Sequence, residues 1–170
     1  MGAIVRPERP EDLSAIRAVN TRAFARNNEA DLVDALRAAG VALASLVAEQ
    51  ASDVVGHILF SPVTLQTAGG ETAAVGLAPM AVLPALQRRG IGSQLVKEGL
   101  EVIRRQGHSS VVVLGHPGYY PRFGFVPASR FGIRWELDCP DEAFLALELI
   151  PGSLAGKSGV VRFRPEFARV

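Results

Sequence analysis

The chain is short of several things that would mark out a special class of protein. It has one cysteine, Cys139, in 170 residues. That excludes an internal disulfide and any multi-thiolate metal site, and it fits a reducing compartment. Charge of one sign is also lacking. Its 18 Lys+Arg stand against 17 Asp+Glu, so no strong field recruits a nucleic-acid backbone or an acidic membrane surface. The longest apolar stretch, residues 75–86, is broken by Pro79 and Pro84. A bilayer helix needs about 20 apolar residues, and a signal peptide needs a basic start before its apolar run. The expectation is therefore a cytoplasmic protein with neither nucleic acid nor membrane as partner. No histidine pair, carboxylate cluster or H-E-x-x-H spacing suggests a metal. Low-complexity segments, long Ser/Gly/Pro linkers and internal repeats are likewise missing, so residues 1–170 read as one domain.

What is present is an ordinary globular composition, 48% hydrophobic and 21% charged, enough for a single core without staples. Hydrophobic periodicity predicts a short strand at 3–6. A helix opens at Pro10 and carries Leu13, Ile16, Val19 and Phe24 on one face. A second helix is capped by Asn28 and ended by Gly40. Strand-like runs at 42–49, 54–65 and 73–82 follow, separated by Ser52-Asp53 and Gly69-Gly70. From 87 to 106 the period becomes helical, with Ile91, Leu95, Val96, Gly99, Leu100 and Ile103 on one face and Gly107 as the stop. Residues 110–114 are a continuous apolar run, the mark of a strand covered on both sides. A short turn or helix at 117–123 and late strands at 144–150 and 160–163 complete a mixed α/β sheet with helices on both faces.

The chemistry-bearing segment is the strand ending at Val82, then Pro84, then Gln87-Arg88-Arg89-Gly90-Ile91-Gly92. Gly90 and Gly92 fall where a helix start leaves amide hydrogens unpaired. Without Cβ atoms they would let a phosphate approach those amides, and Arg88 and Arg89 add positive charge. The same glycines also suit close packing of the helix start, and both readings stand on these residues alone. A Rossmann fingerprint fails because Leu95 stands where a third small residue is required and residues 83–86 intervene after the strand. Gly152-Ser-Leu-Ala-Gly-Lys-Ser fails as a P-loop, with three residues between its glycines where four are required and a strand following where a helix should.

The segment Q-R-R-G-I-G resembles the acyl-CoA motif Q/R-x-x-G-x-G/A of the GNAT N-acetyltransferase superfamily. Downstream, Tyr120-Pro121-Arg122-Phe123-Gly124-Phe125 is similar to the Tyr-x-x-x-Gly-Phe segment that follows the fifth strand in that superfamily. The order of elements agrees over most of the chain. The phrases starting at Gly56 (G-H-I-L-F-S-P) and Gly115 (G-H-P-G-Y-Y-P-R-F-G-F) resemble a branch termed YhbS-like. The resemblance implies a mostly antiparallel sheet with a splayed central strand pair, and acetyl-CoA as acyl donor to an amine acceptor. It implies that the backbone of Met80, Ala81 and Val82 pairs with the pantetheine arm. Gln87 would open a loop in which the amides of Arg88, Arg89, Gly90, Ile91, Gly92 and Ser93 hold the pyrophosphate, and Tyr120 would be the general acid at the coenzyme sulfur. Late strands of the superfamily often pair between subunits, which would give a homodimer.

Two departures bear on the base that deprotonates the amine. Residues 73–82 contain no acid where many members carry a Glu, and Gly115-His116-Pro117 replaces a frequent Asn. His116 is the better-placed histidine, four residues before Tyr120 and after a buried strand. His57 reads as a sheet residue with its hydrogen bonds satisfied, and His108 as part of an exposed turn. The same residues leave two rivals: a non-catalytic CoA-binding sensor or interaction module, and a nucleotide-phosphate-binding domain.

Overall fold

The structure, a computed structural model, describes residues 2–170, without the side chain of Arg169. Its elements run β1 (Ile4–Pro7), α1 (Leu13–Phe24), α2 (Asn28–Ala38), β2 (Ala44–Gln50), β3 (Asp53–Thr67), β4 (Gly70–Val82), α3 (Ile91–Arg105), β5 (Ser110–Leu114), β6 (Val126–Pro127), β7 (Ile133–Trp135), β8 (Phe144–Glu148) and β9 (Gly159–Arg162). The chain divides into two compact units. One takes the residues up to Ser61, Ala78–Ile103 and Pro165–Val170; the other takes Pro62–Leu77 and Arg104–Arg164. β3 and β4 pass through both.

In the first unit β1 and the early part of β3 flank β2, both antiparallel to it. The β2–β3 hairpin turns through Ala51 and Ser52, both in the left-handed region at φ 50° and 69°, the geometry that suits a tight hairpin. Side chains alternate across β3 and sort its neighbours. Leu59 packs with Val47, Ile16 and three α2 residues, Leu32, Val33 and Leu36, while Phe60 and Gly56 point to the opposite face against α3. A Cβ on Gly99 of α3 would collide with Phe60, 2.7 Å from Cζ, and one on Gly56 would stand 3.0 Å from Leu95 Cδ1. These two glycines bring helix and strand into near-backbone contact. Helices thus cover both faces of the sheet in this unit, as the sequence predicts.

The second unit holds β5 antiparallel to β8, β8 antiparallel to β6, the later part of β3 antiparallel to β9, and β9 parallel to β7. β4 runs parallel to β5 with Val75 opposite Val111 and Gly76 opposite Val112, a ladder of two pairs such as a splayed strand pair makes. The first four residues of β5 are buried. The core of this unit gathers Val63, Leu65, Val112, Ile133, Phe144 and Val161. The sheet is mixed and mostly antiparallel, the expected fold class.

Several local expectations need correction. Pro10–Asp12 is a separate 3-10 turn, and α1 begins only at Leu13. Leu13 and Phe24, the first and last residues of α1, are exposed, and the buried face of the helix is made by Ile16, Val19 and Asn20. Asn28 is the first residue of α2, with Asn27 as its cap. Residues 87–90 precede the helix that was expected to include them. β6 and β7 were not anticipated, since two or three residues are too few to show an alternation. The segment around Gly152–Gly156 is a run of turns leading into β9, consistent with its rejection as a P-loop. His108 is half-buried, not exposed. Among the described residues no helix is long and apolar enough to cross a membrane.

Candidate active site

In the first unit the motif residues lie where β4 ends and α3 begins. Ala81 and Val82 are buried and Met80 is half-buried. The amide of Leu83 donates to Val55 O at 2.9 Å, which ties the strand end to β3. A 3-10 turn, Pro84–Leu86, then redirects the chain, proline being tolerated there because the first amide of such a turn is unpaired anyway. The side chain of Gln87 folds back so that Nε2 donates to Val82 O at 3.0 Å. This amide closes the loop onto the strand, a role that the motif alone does not reveal. Arg88 sits in the left-handed region at φ 63° and Gly90 at φ 86°; both are exposed, as is Arg89. A left-handed arginine costs about 1 kcal/mol or more, and such strain gathers at ligand-binding turns.

α3 then opens. Gln94 N donates to Gly90 O at 3.0 Å, so Ile91 and Gly92 precede the first intrahelical bond, and their amides have no helical carbonyl to reach. Ser93 follows in the same first turn. The helix start carries partial positive charge, and Arg88 and Arg89 stand exposed in the turn ahead of it, an electrostatic setting that suits a phosphate.

The second unit holds Tyr120 and His116. Tyr120 opens a 3-10 turn, Tyr120–Phe123, after β5. The His116 carbonyl accepts from the amides of Tyr119 (3.1 Å) and Tyr120 (3.4 Å), so the segment after Pro117 curls into a turn and is not extended. The His116 side chain is exposed. Tyr120 is 7% exposed. Its ring stands edge-on to Tyr119 at 5.1 Å and to Phe125 at 5.7 Å, and tilted to Phe123 at 6.3 Å. Burial first, then Tyr119, pushes the Tyr120 phenol well above its ordinary value near 10, so it keeps its proton at any working pH. Arg122 lies over the Tyr119 ring at 4.6 Å.

The buried candidates for acid–base work are tied up. The buried carboxylate of Asp12 accepts from Arg6 at 2.7 Å and 3.0 Å, and that guanidinium holds it below the usual carboxylate range. The buried Glu29 is paired with Arg26. β4 reaches back to Gly70 and so contains Glu71, but this exposed residue stands at the opposite end of the strand from Val82. His57 is wholly buried. The amide Nδ2 of Asn20 donates to Ile16 O (3.0 Å) and to His57 Nδ1 (3.1 Å), which leaves the imidazole proton on Nε2, donated to Ser45 Oγ at 2.9 Å. The Ser45–His57–Asn20 line therefore has the reverse polarity of a nucleophilic triad, in which His Nε2 must accept from the serine. His57 is the satisfied sheet histidine that its sequence context suggests.

Comparison with known proteins settles the family. The profile of the "Acetyltransferase (GNAT) domain" matches residues 4–128. This chain belongs to the GNAT acetyltransferase family. The Escherichia coli K12 protein named "Uncharacterized N-acetyltransferase YhbS" is 36% identical over 167 residues, covering 98% of this chain and 99% of that protein. YjhQ, an "Uncharacterized N-acetyltransferase" of the same strain, is 45% identical over 121 residues, covering 69% of this chain and 66% of its own. A crystal structure of E. coli YhbS in complex with CoA superposes with a TM-score of 0.92 over 99% of this chain and 93% of that one. A Brucella melitensis GNAT-family acetyltransferase in complex with acetyl-CoA, 39% identical, gives 0.81 over 97% of each chain. This GNAT protein is thus an N-acetyltransferase, and its relatives bind CoA and acetyl-CoA.

Proposed function

We propose that this protein moves the acetyl group of acetyl-CoA to the amine of a small molecule or peptide by direct attack, residues 1–170 acting as one catalytic domain. The observation that carries the reading is the turn between β4 and α3, where a clamped loop, a left-handed glycine and an open helix start present amides to an anion. In this reading the backbone of Met80, Ala81 and Val82 pairs with the pantetheine arm. Gln87 closes the loop, and the amides from Arg88 through Ser93 hold the pyrophosphate. The neutral amine attacks the thioester carbonyl, the backbone amides near Met80–Val82 take the negative charge that gathers on its oxygen, and Tyr120 gives its proton to the departing sulfur. His116, the exposed imidazole one turn before Tyr120, accepts the amine proton through a water. The crystallised relatives with CoA and acetyl-CoA support this donor.

The test is thermal unfolding with and without acetyl-CoA, followed by release of free thiol with a panel of amines. Ligand at about 100 times its dissociation constant stabilises by about 2.7 kcal/mol. An unchanged midpoint at millimolar acetyl-CoA refutes the donor assignment, and a shifted midpoint with no thiol release from any amine favours a CoA-binding sensor.

A further inference from the structure

The glycine at the end of β5 has no backbone reason to be a glycine. The glycines that need the left-handed region are Gly40, Gly70, Gly90, Gly107, Gly124, Gly132, Gly152 and Gly156, and Gly115 is not one of them. What Gly115 does is make room. A Cβ built on it would run into the Tyr120 ring, overlapping Cε2, standing 2.7 Å from Cδ2 and 3.4 Å from Cζ, the carbon that bears the hydroxyl. The ring cannot swing aside cheaply, because Tyr119, Phe123 and Phe125 enclose it. Both ends of the contact are also anchored. The amide of Gly115 donates to Ala143 O at 2.9 Å, and the amide of Tyr120 donates to His116 O. The preceding residue, Leu114, pairs with Phe144.

We propose that Gly115 is a positioning residue: its bare Cα is the floor on which the Tyr120 ring lies, and so it fixes where the phenol hydroxyl is presented. The proposal rests on the reading of Tyr120 as general acid. Restoring ordinary contact after Gly115→Ala requires the ring to move by about 1 Å, a displacement that can cost about 100-fold in rate when it falls on a reacting group.

The test is a double-mutant cycle on the full-length protein, measuring kcat and the KM for acetyl-CoA in wild type, Gly115→Ala, Tyr120→Phe and the double variant. Phenylalanine keeps the ring and therefore the clash, and loses only the hydroxyl. If Gly115 acts by placing that hydroxyl, Gly115→Ala lowers kcat roughly 10- to 100-fold with KM unchanged, yet has little effect when Phe is already at 120. An equal factor in both backgrounds, or a full-speed Gly115→Ala enzyme, overturns the proposal. A full-speed Tyr120→Phe enzyme instead overturns the general-acid reading, and the positioning role with it. Should Gly115→Ala not fold, urea unfolding of Tyr120→Ala is compared with that of Gly115→Ala combined with Tyr120→Ala: equal stability shows that the ring is what the glycine accommodates, and a pair less stable than Tyr120→Ala overturns the proposal.

Discussion

Replacing His57 by glutamine should remove a large part of this protein's sensitivity to mild acid. The imidazole is fully buried in the first unit, and burial first, then the positive charge of Arg37, lowers its pKa to about 3. In the unfolded chain it titrates near 6.5. Between those values the unfolded state binds a proton that the folded state refuses, so stability falls as the pH drops below about 6.5, by up to about 1.4 kcal/mol per pH unit. From pH 7 to pH 5 the loss from this residue comes to about 2 kcal/mol, a sizeable part of the roughly 5–15 kcal/mol that holds a domain folded. Glutamine does not titrate. The His57→Gln protein should be weaker at pH 7, by about 1–3 kcal/mol, because Asn20 or Ser45 loses its partner. Its further loss on acidification should nevertheless be smaller than that of wild type by about 2 kcal/mol. Urea unfolding of both proteins at pH 7 and pH 5 measures the difference, and the remaining carboxylates and histidines, common to both, cancel. If the two proteins lose the same stability between these pH values, His57 is not held neutral by burial, and the tautomer assigned to it falls as well.

Three further outcomes follow from the site. Gly90→Val should leave the circular dichroism spectrum intact, since nothing lies within 4 Å of a Cβ built there. It should nonetheless abolish CoA binding in calorimetry, because a β-branched residue resists φ 86° and reshapes the loop; normal binding would remove Gly90 from the phosphate site. Arg88→Gly should stabilise the ligand-free protein by about 0.5 kcal/mol in urea, the relief of a left-handed arginine outweighing the added freedom of glycine in the unfolded chain, and a lower midpoint would contradict the strain assigned to that turn. His116→Ala should depress thiol release with an amine that is charged at neutral pH, whereas unchanged turnover would mean that the acceptor arrives already neutral.

The elements that position the coenzyme motif were legible from the chain alone. α3 shows its apolar face at helical spacing from Ile91 to Ile103 and β5 is an unbroken apolar run, both written in residues close together in sequence, whereas the turn over residues 87–90 reads from sequence as part of the helix. For His116 and Tyr120 the four-residue spacing allows one helical turn and Pro117 allows an extended segment, and only the structure shows the turn. What sequence could not decide was which polar groups are neutralised and which side chains share a space. Asn20 and His57 are 37 residues apart, and only the packing of α1 on β3 makes the histidine a buried, neutral link in place of a base. Arg6 and Glu49, 43 residues apart, meet because β1 pairs with β2. Gly115 looks like the end of a strand until the aromatic ring of Tyr120 is found lying on it. Periodicity and turn chemistry report the energy of a residue with its neighbours in the chain, whereas burial, ion pairing and ring contact depend on which distant segments exclude water together, and that is settled only once the strands have paired and the helices have docked.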